Sequence, residues 1–222
     1  MARQAYQSRL QELREEVLYM SELVAEQLRT GFDALEAKDD ELAQSVIDGD
    51  EEINELYLEL EQECIDLIAL QQPVAGDLRF IASSFKIITD LERIGDLATN
   101  LGGYALQAEY DAYPEVDIRR IGDATLEMLE QAMAAYADES IENCYDIAER
   151  DDEIDAMCQS ASQTVVRSLL EADALEQDVD ETFQDVSRLF LTIRDLERVG
   201  DHAVNIAART LYMVEQNDEL LY

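Results

Sequence analysis

The sequence predicts an all-α protein, and three observations carry that prediction. With 2 Pro, 8 Gly and no Trp in 222 residues, turn formers are too few for an all-β fold or a long flexible linker. Apolar residues recur at steps of three and four in six successive segments, the period of helices with one buried face. The second half of the chain also restates the first, as tandem helical repeats do. An apolar fraction of 47% supports a substantial core despite a mean hydropathy of -0.25.

The first segment places Leu13, Val17, Met20, Val24, Leu28, Phe32 and Leu35 on one stripe of a long helix. The second runs from about Asp39 to Gln71, with Leu42, Val46, Ile53, Leu56, Leu60 and Leu67 inward, and Pro73 closes it. Pro73 to Gly76 form a turn, and a third helix follows from about Ala75 to Glu109. The pattern breaks around Asp111 to Pro114, which sets the midpoint boundary between residues 1–110 and 115–222. A fourth helix then carries Ile121, Met128, Ala132 and Ala135 and ends near Asp138. The fifth presents Ile141, Tyr145, Ile154, Met157 and Ala161; the sixth presents Phe183, Val186, Phe190, Ile193, Leu196, Val199, Ala203 and Ile206. Long helices joined by short turns lie antiparallel, so each half is expected to be a three-helix, up-and-down, spectrin-like bundle.

Two matched segments establish the duplication. Asp90-Leu-Glu-Arg-Ile-Gly-Asp96-Leu-Ala-Thr-Asn100 agrees with Asp195-Leu-Glu-Arg-Val-Gly-Asp201-His-Ala-Val-Asn205 at eight of eleven positions, offset by 105 residues. Asp50-Glu-Glu-Ile-Asn54 matches Asp151-Asp-Glu-Ile-Asp155 at an offset of 101. The offset grows by four, so the connection between the fifth and sixth helices is expected to carry about one extra helical turn.

Fifty-two acidic against 16 basic residues give a formal charge of -36. Such a surface excludes nucleic-acid binding as the main role, because phosphate neutralisation requires local positive charge. Self-repulsion of this size opposes compaction unless salt shortens the screening length to roughly 3 Å at 1 M. A halophilic, high-salt setting is therefore expected, in keeping with Lys38 and Lys86 as the only lysines. Cys64, Cys144 and Cys158 are odd in number, lack a close pair and fall in apolar stripes, so they are expected as buried free thiols. The chain opens on no signal-like segment and holds no run approaching 18 apolar residues, which predicts a soluble cytoplasmic protein without membrane insertion.

The chemistry-bearing residues are acidic. Glu92, Asp96 and Asn100 are spaced four apart, as are Glu197, Asp201 and Asn205, and each set projects away from the apolar stripe of its helix. Asp50 with Asn54, and Asp151 with Asp155, flank the stripe of the neighbouring helix, so two acidic ladders are expected to face each other across a helix–helix groove in each half. Like charges at this spacing repel, and a bound cation removes the repulsion; oxygen ligands suit magnesium, manganese, calcium or ferric iron. With so many acids, on the order of a dozen such pairs arise by chance on solvated faces. The duplicated seven-residue block is what lifts the signal, since it retains a mid-helix glycine that costs about 1 kcal/mol against alanine. Gly95 and Gly200 are expected to admit a close neighbour, and Arg93 and Arg198 to pair with adjacent acids. His202, the lone histidine, stands where the first repeat has Leu97 and is expected to serve structure or surface. One histidine builds no Ser/His/Asp set, no glycine-rich phosphate loop is present, and no Glu-x-x-His pair of the ferritin-like di-iron enzymes exists.

These residues resemble the PhoU family of phosphate-uptake regulators over nearly the whole chain: Val46 to Asp50 with Ile53-Asn54, Gln72-Pro73 to Asp77-Leu78-Arg79, and both Glu-Arg-[Ile/Val]-Gly-Asp blocks. The resemblance implies two three-helix repeats in a cytoplasmic negative regulator, with no enzymatic activity. Its implied partners are the ATPase subunit of the phosphate ABC transporter and a sensor kinase, with homodimer formation compatible. It also implies metal ions, among iron, manganese, magnesium, calcium and zinc, on surface acidic motifs. Carried onto this chain, the motif positions are Glu92 with Asp96, Glu197 with Asp201, and Asp151 with Asp155; Asn54 replaces a carboxylate beside Asp50, which is expected to weaken the first site. Asp77 and Arg79 have no clear counterpart in the second half. A helper of a secondary phosphate permease is the nearest alternative.

Overall fold

Six α-helices make up the described chain: α1 Ala2–Ala37, α2 Asp40–Gln71, α3 Ala75–Leu106, α4 Ile118–Asp138, α5 Ile141–Glu171 and α6 Val179–Glu215, followed by a 3-10 turn at Glu219–Leu221. The computed structural model describes residues 2–71, 73–107, 116–171 and 179–221, with backbone alone at 2–3, 70–71 and 179–182. The midpoint break expected at Asp111 to Pro114 lies outside the described residues. Three residues separate α2 from α3 and seven separate α5 from α6, so the four-residue growth in offset falls at residues 172–178, also outside them.

The local chemistry of the first hairpin recurs in the second. Lys38, at φ 52°, stops α1 in the left-handed region, and Glu139, at φ 54°, stops α4 101 residues later. That conformation costs a non-glycine residue about 1 kcal/mol, and the same backbone bond offsets it in both turns. Asp39 N–H donates to the Ala34 carbonyl at 3.2 Å, and Ser140 N–H to the Ala135 carbonyl at 3.0 Å. Asp39 then caps α2 by accepting from the N–H groups of Glu41 and Leu42, at 2.9 and 3.1 Å, while Ser140 Oγ accepts from Asn143 N–H at 3.5 Å.

The predicted stripes are buried in the core or packed partly buried against it, with one exception. Leu13, Val17, Met20, Val24, Leu28, Phe32, Val46, Ile53, Leu60 and Leu67 face the core of the first bundle; Met128, Ala132, Ile154, Leu196, Val199, Ala203 and Ile206 face that of the second. Phe183 is 71% exposed. Its row reaches Leu196 in four steps averaging fewer than 3.6 residues, and at 100° per residue this carries Phe183 roughly 140° away from Leu196. All three cysteines are buried free thiols, and burial pushes Cys64 and Cys158 up to about 12 and Cys144 up to about 11.

The two bundles share one continuous core rather than enclosing separate ones. α1 and α3 pack on α4 and α6. On α4, Gly122 lies so close to Phe32 of α1 that a Cβ there would stand 2.9 Å from the ring. Tyr136 of α4 is fully buried, shares a 2.8 Å hydrogen bond with Ser84 of α3 and stacks on Phe80 at 6.3 Å between centroids. Arg14 covers both rings and pairs with Glu139, while Arg29 and Arg119 join α1 to α4 through Glu130, Asp33 and Glu36.

The α3/α6 crossing gives the fold its symmetry. Asn100 Nδ2 donates to Asp195 Oδ2 at 3.3 Å, and Asn205 Nδ2 donates to Asp90 Oδ1 at the same distance. These are repeat-related pairs making reciprocal contacts, the signature of a twofold relation, here a pseudo-twofold that relates one bundle to the other. α3 and α6 therefore run antiparallel, and the α2/α3 and α5/α6 hairpin tips point to opposite ends of the molecule.

Candidate metal centres on the α2/α3 and α5/α6 grooves

Each hairpin brings the first two rungs of its ladder beside the pair on the neighbouring helix. In the first groove α2 supplies Asp50 and Asn54, and α3 supplies Glu92 and Asp96; in the second, α5 supplies Asp151 and Asp155, and α6 supplies Glu197 and Asp201. The mid-helix glycines permit this approach. A Cβ at Gly95 would stand 3.3 Å from Ile53 Cγ2, and one at Gly200 would stand 3.2 Å from Asp151 Oδ1. The expected close neighbour is thus the partner helix, and in the second groove it is the carboxylate itself.

The third rung goes elsewhere. Asn100 and Asn205, expected with the acidic ladders, cross to the opposite repeat in the reciprocal bonds described above. A four-residue step overshoots a helical turn by about 40°, and two such steps carry the asparagines out of the groove and onto the α3/α6 seam. There Asp195, 1% exposed, also accepts from Tyr104 OH at 2.9 Å and from Arg194. Asp90 lies 2.8 Å from His202 Nδ1, which gives the lone histidine its expected structural role. Sequence reasoning quoted Asp90 and Asp195 as the opening residues of the duplicated block without assigning them a task. Their duplication was visible, but the antiparallel crossing that employs them was not.

The grooves differ in how their carboxylates are satisfied. Asp50 Oδ2 accepts from Asn54 Nδ2 at 2.8 Å and its Oδ1 from Thr99 Oγ1 at 3.1 Å, while Gln27 Nε2 reaches Thr99 at 3.4 Å and the Val46 carbonyl at 2.8 Å. Arg93 pairs with both Glu92, at 3.5 Å, and Asp96, at 3.3 Å, as expected. In the repeat register Asp155 replaces Asn54, Val204 replaces Thr99 and Met128 replaces Gln27. Every one of those donors is lost. Asp151 Oδ1 is consequently buried with no hydrogen-bond partner, a condition that costs about 1–3 kcal/mol or more for a charged group.

The titration behaviour follows the same division. Burial first, then Asp155, Asp201, Asp152 and Glu197, push Asp151 up to about 6. Glu197 is raised by burial and by Asp155 and Asp201; Asp201 is raised by burial and Asp155, with His202 and Arg198 opposing. In the first groove Glu92 is raised by burial and then by Asp96 and Asp50, against Arg93 and His202. Among the described residues no three carboxylate, thiol or imidazole groups converge as they stand into a metal-binding arrangement. Asp155, Glu197 and Asp201 are exposed at the groove mouth, so rotamer changes can bring their oxygens toward Asp151.

Comparison with known proteins agrees with this architecture. The PhoU domain family model matches twice, at residues 17–105 and 118–210. A phosphate-specific transport system accessory protein PhoU homolog from Pseudomonas putida is 34% identical over 97% of this chain and 82% of its own length. A PhoU homolog 1 of the same description from Methanothermobacter thermautotrophicus is 33% identical over 94% of each chain. The crystal structure of PhoU from Pseudomonas aeruginosa superposes with a TM-score of 0.88 at 31% identity, covering 96% of this chain and all of that one. Two family domains, six helices in the same arrangement and high-coverage relatives lead to one conclusion: the chain belongs to the PhoU family.

Proposed function

We propose that this chain is a metal-binding accessory protein of phosphate transport, which docks on the ATPase subunit of a phosphate ABC transporter and on a sensor kinase to restrain them. The carrying observation is the orphaned Asp151 oxygen, with three further carboxylates at the mouth of a groove that has lost the Asn54, Thr99 and Gln27 donors of its twin. Four neighbouring carboxylates, one with a buried oxygen that has no donor, fit a hard cation. The first groove fits one less well, since Asn54 and Thr99 already occupy both Asp50 oxygens, although Gln27 Oε1 beside it is also buried without a partner.

Asp151, Asp155, Glu197 and Asp201 would hold the ion, with the Asp50, Asn54, Glu92 and Asp96 set as a weaker second position. A bound cation supplies charge neutralisation. The chain's own residues do the rest: Gly200 admits α5 against α6, and burial of Asp151 gives that carboxylate an incentive to exchange a proton for an ion. Regulation in place of catalysis agrees with the relatives' description as accessory proteins, and no helix among the described residues is long and apolar enough to cross a membrane. A cytoplasmic, high-salt setting is part of this proposal. The test is elemental analysis of protein purified without chelators: wild type is expected to carry metal, and Glu197→Gln with Asp201→Asn to lose most of it without unfolding. Equal metal content in both proteins rejects these ligands.

A further inference from the structure

The exposed apolar side chains of this acidic protein are not scattered. Four of them, Ile65, Ile68, Val74 and Leu78, gather near the α2/α3 tip, and three more, Val166, Leu170 and Phe183, near the α5/α6 tip. Ile65 and Val166 occupy the same repeat position, as do Leu78 and Phe183, and each is 41–71% exposed. Isolated exposed apolar residues need no explanation. A duplicated patch does, because a solvated position is free to diverge between repeats: Tyr19, 49% exposed, has Arg120 as its counterpart, and Leu58, 60% exposed, has Gln159.

The patches share a face with the acidic grooves. Ile68 follows Asp50 by 18 residues and Leu78 precedes Asp96 by 18; Phe183 precedes Asp201 by the same interval. Eighteen residues make five whole turns, so these side chains stand on the same side of their helices, roughly 27 Å toward the hairpin tip. Because the reciprocal contacts pair Asp90 with Asn205 and Asp195 with Asn100, the pseudo-twofold passes at the level of Gly95 and Gly200. Leu78 and Phe183 each lie 17 residues from that level, on opposite sides, which sets them roughly 50 Å apart along the helices.

We propose that the two hairpin tips form a bivalent docking face for a homodimeric protein, each subunit of which seats one apolar segment flanked by basic residues on one tip. Twofold-related patches roughly 50 Å apart match a twofold partner that seats one subunit on each. Basic flanks follow from the overall charge and the acids beside the patches: Arg79 and Arg167 also border them, but Glu61 stands one turn from Ile65, Asp77 precedes Leu78 and Glu171 follows Leu170, on a chain of net charge -36. The same charge opposes a second copy of this chain as occupant.

This inference rests on the docking reading above, and the test separates the two. The wild-type chain and the variants Leu78→Glu, Phe183→Glu and Tyr19→Glu are titrated against the purified ATPase subunit of the phosphate transporter in its dimeric form, with stoichiometry from light scattering and thermal unfolding as a check on folding. The expected result is one chain per ATPase dimer, with either tip variant weakening binding by about 100-fold or more as the bivalent advantage is lost, and Tyr19→Glu leaving it unchanged. Wild-type binding that both tip variants retain, or one chain per subunit, overturns the inference and leaves the docking reading standing. Failure of the wild type to bind overturns the docking reading and the inference with it. Self-association abolished by the tip variants, or tip-dependent sedimentation with phosphatidylcholine vesicles, assigns the face to another occupant and also overturns it.

Discussion

Replacing Asp151 by Asn is expected to stabilise the metal-free protein and destabilise the metal-loaded one. An unfolded Asp titrates near 3.8, and in the fold Asp151 rises to about 6, first through burial and then through the surrounding carboxylates. A carboxyl that holds its proton more tightly when folded destabilises the fold once ionised, so stability falls as pH rises from about 4 to about 6 and is level above that interval. At about 1.4 kcal/mol for each pH unit the full shift corresponds to about 3 kcal/mol. Asp151 is only half buried, and solvent screening reduces this to about 1–2 kcal/mol. Asp151→Asn removes the ionisation, so at pH 8 with chelator it should raise the melting temperature by about 2–6 °C for a chain of this size. At pH 4, where the native carboxyl is protonated, the two proteins should melt together. Because burial is the leading cause, salt that screens the other carboxylates should leave much of the gain. Calorimetric or fluorescence-monitored melting at both pH values checks this, and an Asp151→Asn protein no more stable than wild type at pH 8 without metal would refute the reasoning.

Asn54→Asp should bring the first groove toward the second, raising total metal content above wild type in elemental analysis while weakening the metal-free fold by about 1 kcal/mol through loss of the bond to Asp50. Asp195→Ala leaves Tyr104 and Asn100 without their shared acceptor on the α3/α6 seam; a loss of about 2–3 kcal/mol is expected in urea unfolding, more than for Asp96→Ala at the groove mouth. Removal of salt should unfold the chain as the charge of -36 loses its screening, followed by far-ultraviolet circular dichroism from molar salt downward; a fold unchanged at low ionic strength contradicts the high-salt setting.

The helices were legible in the sequence because burial imposes a period. Leu91, Ile94, Ala98 and Leu101 are buried as their spacing requires, and the α1/α2 turn and its copy are marked by Asp39 and Ser140. The first two rungs of each acidic ladder were legible for the same reason. What spacing could not reveal depends on how helices pack. The 40° overshoot that removes Asn100 from its groove matters only once α6 stands beside it, and the single shared core depends on α1 meeting α4. Phe183 shows the converse error, since an apolar residue near the expected step was assigned inward although its row had drifted to the surface. The absence of donors around Asp151 was written in Asp155, Val204 and Met128, and could be recognised only after Asn54 and Thr99 were seen donating to Asp50, with Gln27 behind Thr99.

The central claim is that the second groove gathers hard cations because its carboxylates have no other partner. Anomalous diffraction from crystals grown with manganese or iron tests it most directly. The account predicts a peak among Asp151, Asp155, Glu197 and Asp201 stronger than any beside Asp50 and Glu92. Crystals in which that groove holds no ion at saturating concentration, with the four side chains still apart, would contradict it.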